Sequence, residues 1–179
     1  MKTVNLKIYE FKELSKTVQE KVIKEFQQNN TFDALDFLME ERLDDLLLSS
    51  KFKANTTQLF YSLSYCQGDG AMFEFSGTYT HNKKTYNIKI KNSGRYCHEY
   101  SADFDITDEN YEDLDDNKTN SKIEEKIKKE YREICKNLAH DGYSFMAEEN
   151  SEESIITRIE DDNLFFTIDG REYKDDTLK

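Results

Sequence analysis

From Leu59 to Ile106 the sequence alternates with a period of two, and three turn clusters cut the run into four segments. Successive side chains of a strand point to opposite sheet faces, so each segment reads as a strand with one face buried. The first carries Leu59, Tyr61, Leu63 and Tyr65, and the second Ala71, Phe73, Phe75 and Tyr79. The third carries Tyr86, Ile88 and Ile90, and the fourth His98, Tyr100, Ala102, Phe104 and Ile106. Gln67-Gly68-Asp69-Gly70, His81 to Lys84 and Asn92-Ser93-Gly94 supply the turns. Strands joined so tightly pair antiparallel, which makes a meander.

The flanks are mostly helical in period. Val4, Leu6 and Ile8 first mark a strand over Thr3 to Tyr9. Ser15 then fits a helix N-cap ahead of Val18, Val22, Ile23 and Phe26, and Asn29-Asn30 ends that helix. A second helix is expected from about Thr31, through Leu35, Leu38, Met39, Leu43, Leu46 and Leu47. A third, from about Asn120 to Ala139, buries Ile123, Ile127, Tyr131, Ile134 and Leu138 and stops before Gly142. Its other face is basic: Lys122, Lys126, Lys128, Lys129, Arg132 and Lys136. Asn150-Ser151 with Glu153 resembles a capped helix start before Ile155, Ile156 and Ile159, and Leu164 to Ile168 reads as a last strand before Asp169-Gly170. The expected fold is α+β: an antiparallel sheet of four to six strands packed against about four helices. Neither a repeat nor a long linker divides residues 1–179, so one domain is expected.

Composition narrows what such a fold can do. Only 36% of residues are apolar, yet twelve Phe and eleven Tyr bring large burial per residue, enough for a core without metals or disulfides. The formal net charge of −12 repels nucleic acid and anionic membrane and favours partners with basic surfaces, although solubility alone also accounts for an acidic surface. Cys66, Cys97 and Cys135 are odd in number and form no CxxC pair, which points to a reducing compartment. Lys2, Asn5, Lys7 and Glu10 interrupt any leader-like apolar core, and no stretch approaches the roughly 20 apolar residues of a membrane span. A cytoplasmic protein is expected.

Three places carry chemistry. In Tyr65 to Ala71 the glycines Gly68 and Gly70 allow positive φ, while Gln67 and Asp69 offer hydrogen-bonding groups; a tight turn in which Asp69 bonds its own backbone is the competing reading. In Gly94 to Tyr100, the residues Arg95, Tyr96, His98 and Glu99 stand close together, and His98 with Glu99 or Asp69 would make an acid–base pair. Cys97 and His98, adjacent on a strand, would face opposite ways and could not readily share a metal, so no metal and no cofactor are expected. The third place is acidic: Asp103, Asp105, Asp108, Glu109, Glu112, Asp113, Asp115 and Asp116 run without an intervening Lys or Arg. Such a patch imitates a phosphate backbone toward a protein that binds nucleic acid; a solvated loop is the alternative. No hydrolase, zinc-protease or dinucleotide motif occurs, so no enzyme is expected.

On these motifs the chain resembles a family of small phage and prophage proteins often labelled antitoxin of a toxin–antitoxin stability system. The resemblance runs through "FKELS" at Phe11 to Ser15, a "SQGDGA"-type turn at Cys66 to Ala71, a "GRYYHEY"-type segment at Gly94 to Tyr100, and a block from Ser151 to Gly170. Cys66 stands where serine is usual and Cys97 where an aromatic is, and the family's tryptophan-rich second helix has no counterpart, since the chain has no Trp. The resemblance implies a phage genome and a host cytoplasm. By analogy with small acidic phage proteins that block host defences such as CRISPR–Cas effectors, it suggests a stoichiometric inhibitor whose acidic residues occlude a basic, nucleic-acid-binding partner. The other expectations are an antitoxin for a cognate toxin, and a ligand binder or enzyme using Gln67, Asp69 and His98.

Overall fold

A computed structural model describes residues 6–110, 114 and 118–174. Among these residues the architecture is α+β, with four α-helices, a four-stranded antiparallel sheet and a separate two-stranded one. The helices are α1 (Lys16–Gln28), α2 (Leu35–Ser49), α3 (Lys118–Glu149) and α4 (Glu152–Asp161). The strands are β1 (Tyr9–Glu10), β2 (Phe52–Ser62), β3 (Gly70–His81), β4 (Lys84–Asn92), β5 (Ala102–Thr107) and β6 (Phe165–Phe166). Among the described residues no helix is long and apolar enough to cross a membrane.

The chain packs as two compact units, one of Met1–Asp33 with Phe145–Lys179 and the other of Ala34–Ser144. In the first unit α1 and α4 enclose Phe11, Leu14, Val22, Ile23, Ile155, Ile159 and Phe166. Phe166 meets the rings of Phe11 and Phe26 edge-on, at 6.3 and 6.4 Å. Ser151 caps α4 by accepting the N–H of Ser154 at 3.1 Å, while Ser15 takes the extended cap conformation ahead of α1 without a side-chain bond.

In the second unit the meander has strand order β2-β3-β4-β5. Phe73, Phe75, Tyr79, Ile88 and Ile90 are all but inaccessible, as are Ile127, Tyr131, Ile134, Cys135 and Leu138 of α3. Phe73 and Phe104 both lie against the Tyr131 ring, at 4.6 and 5.1 Å. Register ties this packing to a hydrogen-bonding problem. β3 pairs with β2 back to Gly70, but with β4 only back to Phe75. Beyond that pair Asn92, which would face Phe73 in register, gives its N–H to the Glu74 carboxylate, and the Tyr131 hydroxyl takes its place beside Phe73. It donates to the carbonyl of Phe73 at 3.0 Å and accepts its N–H at 3.2 Å.

Several element boundaries differ from the sequence expectation. Residues 3–5 of the first strand lie outside the described residues, and the strand is confined to Tyr9–Glu10, where its partner Phe165–Phe166 is equally short. That last strand ends before Ile168 because Thr167 opens a turn closed by the Arg171 carbonyl at 2.9 Å. α2 starts at Leu35 rather than Thr31, since Phe32 has a left-handed φ of 50° that no helix admits. β2 runs from Phe52 to Ser62, earlier than the Leu59–Tyr65 alternation implied, and Tyr65 at φ 58° is already in the turn. The fourth strand begins at Ala102, so Cys97, His98 and Tyr100 lie on a loop. α3 continues past Gly142 to Glu149. A Cβ on Gly142 would sit 2.5 Å from Leu63 Cδ1 and 2.8 Å from Met39 Sδ, so the missing side chain makes room for neighbours and does not end the helix.

Tyr131→Phe keeps the ring and removes both bonds to Phe73, leaving a buried donor and acceptor unpaired. The variant is expected to lose about 1–3 kcal/mol of stability in urea unfolding at an unchanged m-value.

Candidate binding surfaces

The two motifs marked in the sequence meet. Asp69 organises the first: Oδ1 accepts the hydroxyl of Ser62 at 2.7 Å, and Oδ2 accepts the N–H of Ser64 at 2.6 Å and of Cys66 at 2.7 Å. These bonds, led by the one from Cys66, hold the carboxyl below the usual aspartate range. Asp69 therefore keeps its own turn in shape, and Gln67 points to solvent beside it.

The second motif lies in the loop between β4 and β5. Ser93 N–H bonds the Ser101 carbonyl at 2.8 Å and closes the loop at its base. His98 Nδ1 accepts the N–H of Tyr100 at 3.1 Å, and the His98 carbonyl accepts the N–H of Ser101 at 2.9 Å. The histidine thus shapes its loop much as Asp69 shapes the turn.

Glycine lets the two pack. A Cβ on Gly68, at φ +90°, would fall 2.3 Å from Cδ1 of Tyr96, and one on Gly70 would fall 3.0 Å from both the Cys97 carbonyl oxygen and His98 Cβ. The structure brings Asp69 and His98 into one neighbourhood, but each side chain is engaged with its own backbone rather than with the other. The acid–base pair expected from the sequence is not formed. Burial, with the charge of Asp69, pushes the Cys97 thiol up, and burial takes Cys135 up to about 12, so both resist becoming thiolates. Among the described residues no three His, Cys, Asp or Glu side chains converge as a metal site would require.

What the junction presents is aromatic and cationic. Tyr65 is 75% exposed and tilts against Tyr143 at 4.7 Å, while Tyr96 stacks on His98 at 6.0 Å. The Arg95 guanidinium lies 5.0 Å from the Tyr96 ring centre and donates to its hydroxyl at 2.9 Å. One stripe of α3 supports the loop from the side. Lys128 sits over Phe104 at 5.6 Å, Arg132 over Tyr100 at 4.7 Å, and Lys136 pairs with Glu99 at 3.7 Å. Among the described residues the buried Arg132 Nε has no hydrogen-bond partner. With Lys126 Nζ also 3.2 Å from His81 Nε2, most of the basic face seen in the sequence is taken up by the protein itself.

The acidic run is divided by the sheet. Asp103 and Asp105 are exposed on β5, but their register partners on β4 are Lys91 and Lys89, cations on the same face. Asp108 accepts the N–H of Asn110 at 2.8 Å through Oδ1, and its carbonyl accepts from Asn87 at 2.6 Å. Glu109 is exposed, whereas Glu112, Asp113, Asp115 and Asp116 lie outside the described residues.

A denser acidic surface sits on α2, which the sequence reading treated only as an apolar stripe. Asp36, Glu40, Glu41, Asp44 and Asp45 are all exposed. The one cation of this helix, Arg42, is bonded to Asp141 at 2.6 Å. Phe37 and Leu48, at 69% and 84% exposure, stand among these carboxylates. The signal was present in the sequence as acids at four-residue spacing. Comparisons with protein-family models, with curated proteins and with solved structures find no match to this chain.

Two substitutions check the junction. Gly68→Ala must move the Tyr96 ring and strain a positive φ, and should cost on the order of 1–2 kcal/mol. Gly94→Ala, with nothing within 4 Å of the new methyl, serves as its control. Because the folded Asp69 pKa lies below its ordinary value, its stabilisation is present above the ordinary aspartate range and is lost as pH falls through the folded value. Asp69→Asn should therefore remove part of the acid limb of a urea-midpoint profile, which wild type would show below about pH 4.

Proposed function

We propose that the protein is a stoichiometric binding protein that meets a basic, nucleic-acid-binding protein surface with carboxylates in place of phosphates. The observation that carries this is the set of carboxylates that α2 exposes. Asp36, Glu40, Glu41, Asp44 and Asp45 fall within roughly 14 Å of helix axis at 1.5 Å per residue, or about one charge every 3 Å. One strand of duplex DNA offers about one charge per 3.4 Å. A groove that attracts phosphates by charge density would attract this helix too, and Phe37 and Leu48 would add apolar contacts that a nucleic acid lacks. The Tyr and Arg side chains at the motif junction are residue types that anchor protein interfaces, so they supply a second contact region. Asp103, Asp105, Asp108 and Glu109 contribute to the same field, with the first two softened by Lys91 and Lys89. The resemblance to small phage proteins favours a defence complex of the bacterial host as the target and the host cytoplasm as the setting.

Immobilised wild-type chain and a Glu40→Lys, Glu41→Lys, Asp44→Lys, Asp45→Lys variant would be exposed to nuclease-treated lysate of a bacterial host. A basic protein should be retained by the wild type alone, elute as salt rises, and be displaced by duplex DNA. Equal retention by the charge-reversed chain, or indifference to DNA, would refute the proposal.

A further inference from the structure

One edge of the four-stranded sheet is built against a further strand and the other is not. β5 is six residues long and carries the exposed charges Asp103 and Asp105, which discourage pairing. β2 is eleven residues long and pairs with β3 alone among the described residues. Lys53 and a register irregularity between Ala54 and Thr56 interrupt its first part. From Thr56 to Ser62 it has no charge, no proline and an unbroken register. Every second residue of such a stretch turns its N–H and C=O away from β3, as a template for another strand.

What lies over this edge selects the chain that would add. Ser50 and Lys51 link α2 directly to β2, and the helix packs along the strand so that Asp36 accepts the Tyr61 hydroxyl. Burial and the bond to Asp36, with the charges of Asp36 and Glu40, raise the pKa of that hydroxyl, so Glu40 stands near the strand as well. Asp36, Glu40 and Asp44 share one flank of the helix, while Arg42, bonded to Asp141 of α3, lies on the other. The flank with the three carboxylates is therefore turned away from α3 and toward the free edge, and all three are exposed. They recur every four residues, about 6 Å along the helix axis. Alternate residues of a strand recur at about 6.7 Å. A strand laid against β2 thus brings each second side chain on the α2 side close to one carboxylate. An acidic strand is repelled there, and a second copy of β2 would bring α2 carboxylates of its own. We infer that an extended basic segment of the partner, with Lys or Arg at alternate positions, adds to β2 over Thr56–Ser62 as a fifth strand of the sheet. The inference rests on the proposed function and supplies its binding mode: main-chain bonds to β2 give affinity, and the α2 carboxylates choose the side chains.

Fluorescence anisotropy of a labelled peptide, acetyl-Thr-Lys-Val-Lys-Thr-Lys-Val-amide, titrated with the full chain tests it. The expected result is saturable binding that weakens as salt rises, with amide hydrogen exchange slowed over residues 56–62. Two further peptides keep the charge and carry methyl groups on main-chain nitrogens, one on those of its lysines and the other on those between. Only one of these sets can face β2, so one peptide should bind about tenfold more weakly or worse while the other binds like its parent. Glu40→Lys with Asp44→Lys should weaken the parent peptide about tenfold, with an unchanged far-ultraviolet circular dichroism spectrum. Absence of peptide binding, unchanged exchange over residues 56–62, or equal binding of the two methylated peptides would overturn the inference. The two readings fail separately. A basic protein retained from lysate through the α2 carboxylates, with both methylated peptides bound alike, leaves the function standing and removes strand addition. Strand addition of the peptide with no basic protein retained overturns the function instead.

Discussion

Where two neighbouring strands stop pairing, main-chain groups are left without ladder partners, and the second unit is organised around one such place. β3 extends to Gly70 beside β2 while β4 stops pairing at Phe75. An unpaired buried donor and acceptor at Phe73 would cost more than most single contacts contribute, so the gap must be filled. A tyrosine hydroxyl suits it because one oxygen both donates and accepts. Tyr131, with no exposed surface, also presents its ring to Phe73 and Phe104. This fixes the rotation of α3 against the sheet. The next residue, Arg132, then reaches Tyr100, with Lys128 and Lys136 one turn to either side. The loop that carries the second motif is held by the same helix that completes the strand.

The turn from Ser62 to Gly70 answers to a related demand. A carboxylate that accepts two backbone N–H groups and a hydroxyl is a poor general base, because the bonds that fix it also favour its ionised form. Asp69 has been committed in this way, and His98, through Tyr100, in another. Residues that looked reactive in the sequence are those that give two irregular segments defined shapes. Around them Tyr65, Tyr96, Tyr100 and Arg95 are exposed, side chains suited to contact.

The meander was legible because alternation and turn chemistry agree over β3 and β4, where each strand has neighbours on both sides. Legibility failed where tertiary contacts override local pattern. Tyr96, His98 and Tyr100 continue the alternation of β5 on the N-terminal side, yet Ser93 and Ser101 close the loop first and leave them outside the ladder. Gly142 reads as a helix stop by propensity, a cost of about 1 kcal/mol in a helix interior, but the space it leaves is filled by Leu63 and Met39. Lys53 to Gln58 carry no apolar period because an edge strand open on several sides has little to bury. The junction itself was half visible: both motifs stood out, but only φ at Gly68 and the position of the Tyr96 ring bring them together.

Net charge proved a coarse guide to where charge acts. The longest acid run in the sequence includes β5, whose aspartates stand opposite lysines, while the basic face of α3 is partly spent on rings and on Glu99. In each case a cation and an anion distant in sequence are neighbours in space, and their fields cancel within a Debye length. α2 is different because Arg42, its one cation, is bonded to Asp141, while its five carboxylates are exposed, Asp36 also accepting the Tyr61 hydroxyl. Helix periodicity puts Glu41 and Asp45 opposite the buried Met39, Leu43 and Leu47 and Asp44 to one side of them, while Asp36 and Glu40, two turns before Leu43 and Leu47, border the buried stripe. The side of α2 that carries Glu41 and Asp45 is turned away from the core that seats the helix. It is therefore the place where sequence change could adjust affinity for the basic partner proposed above at little expense to the fold.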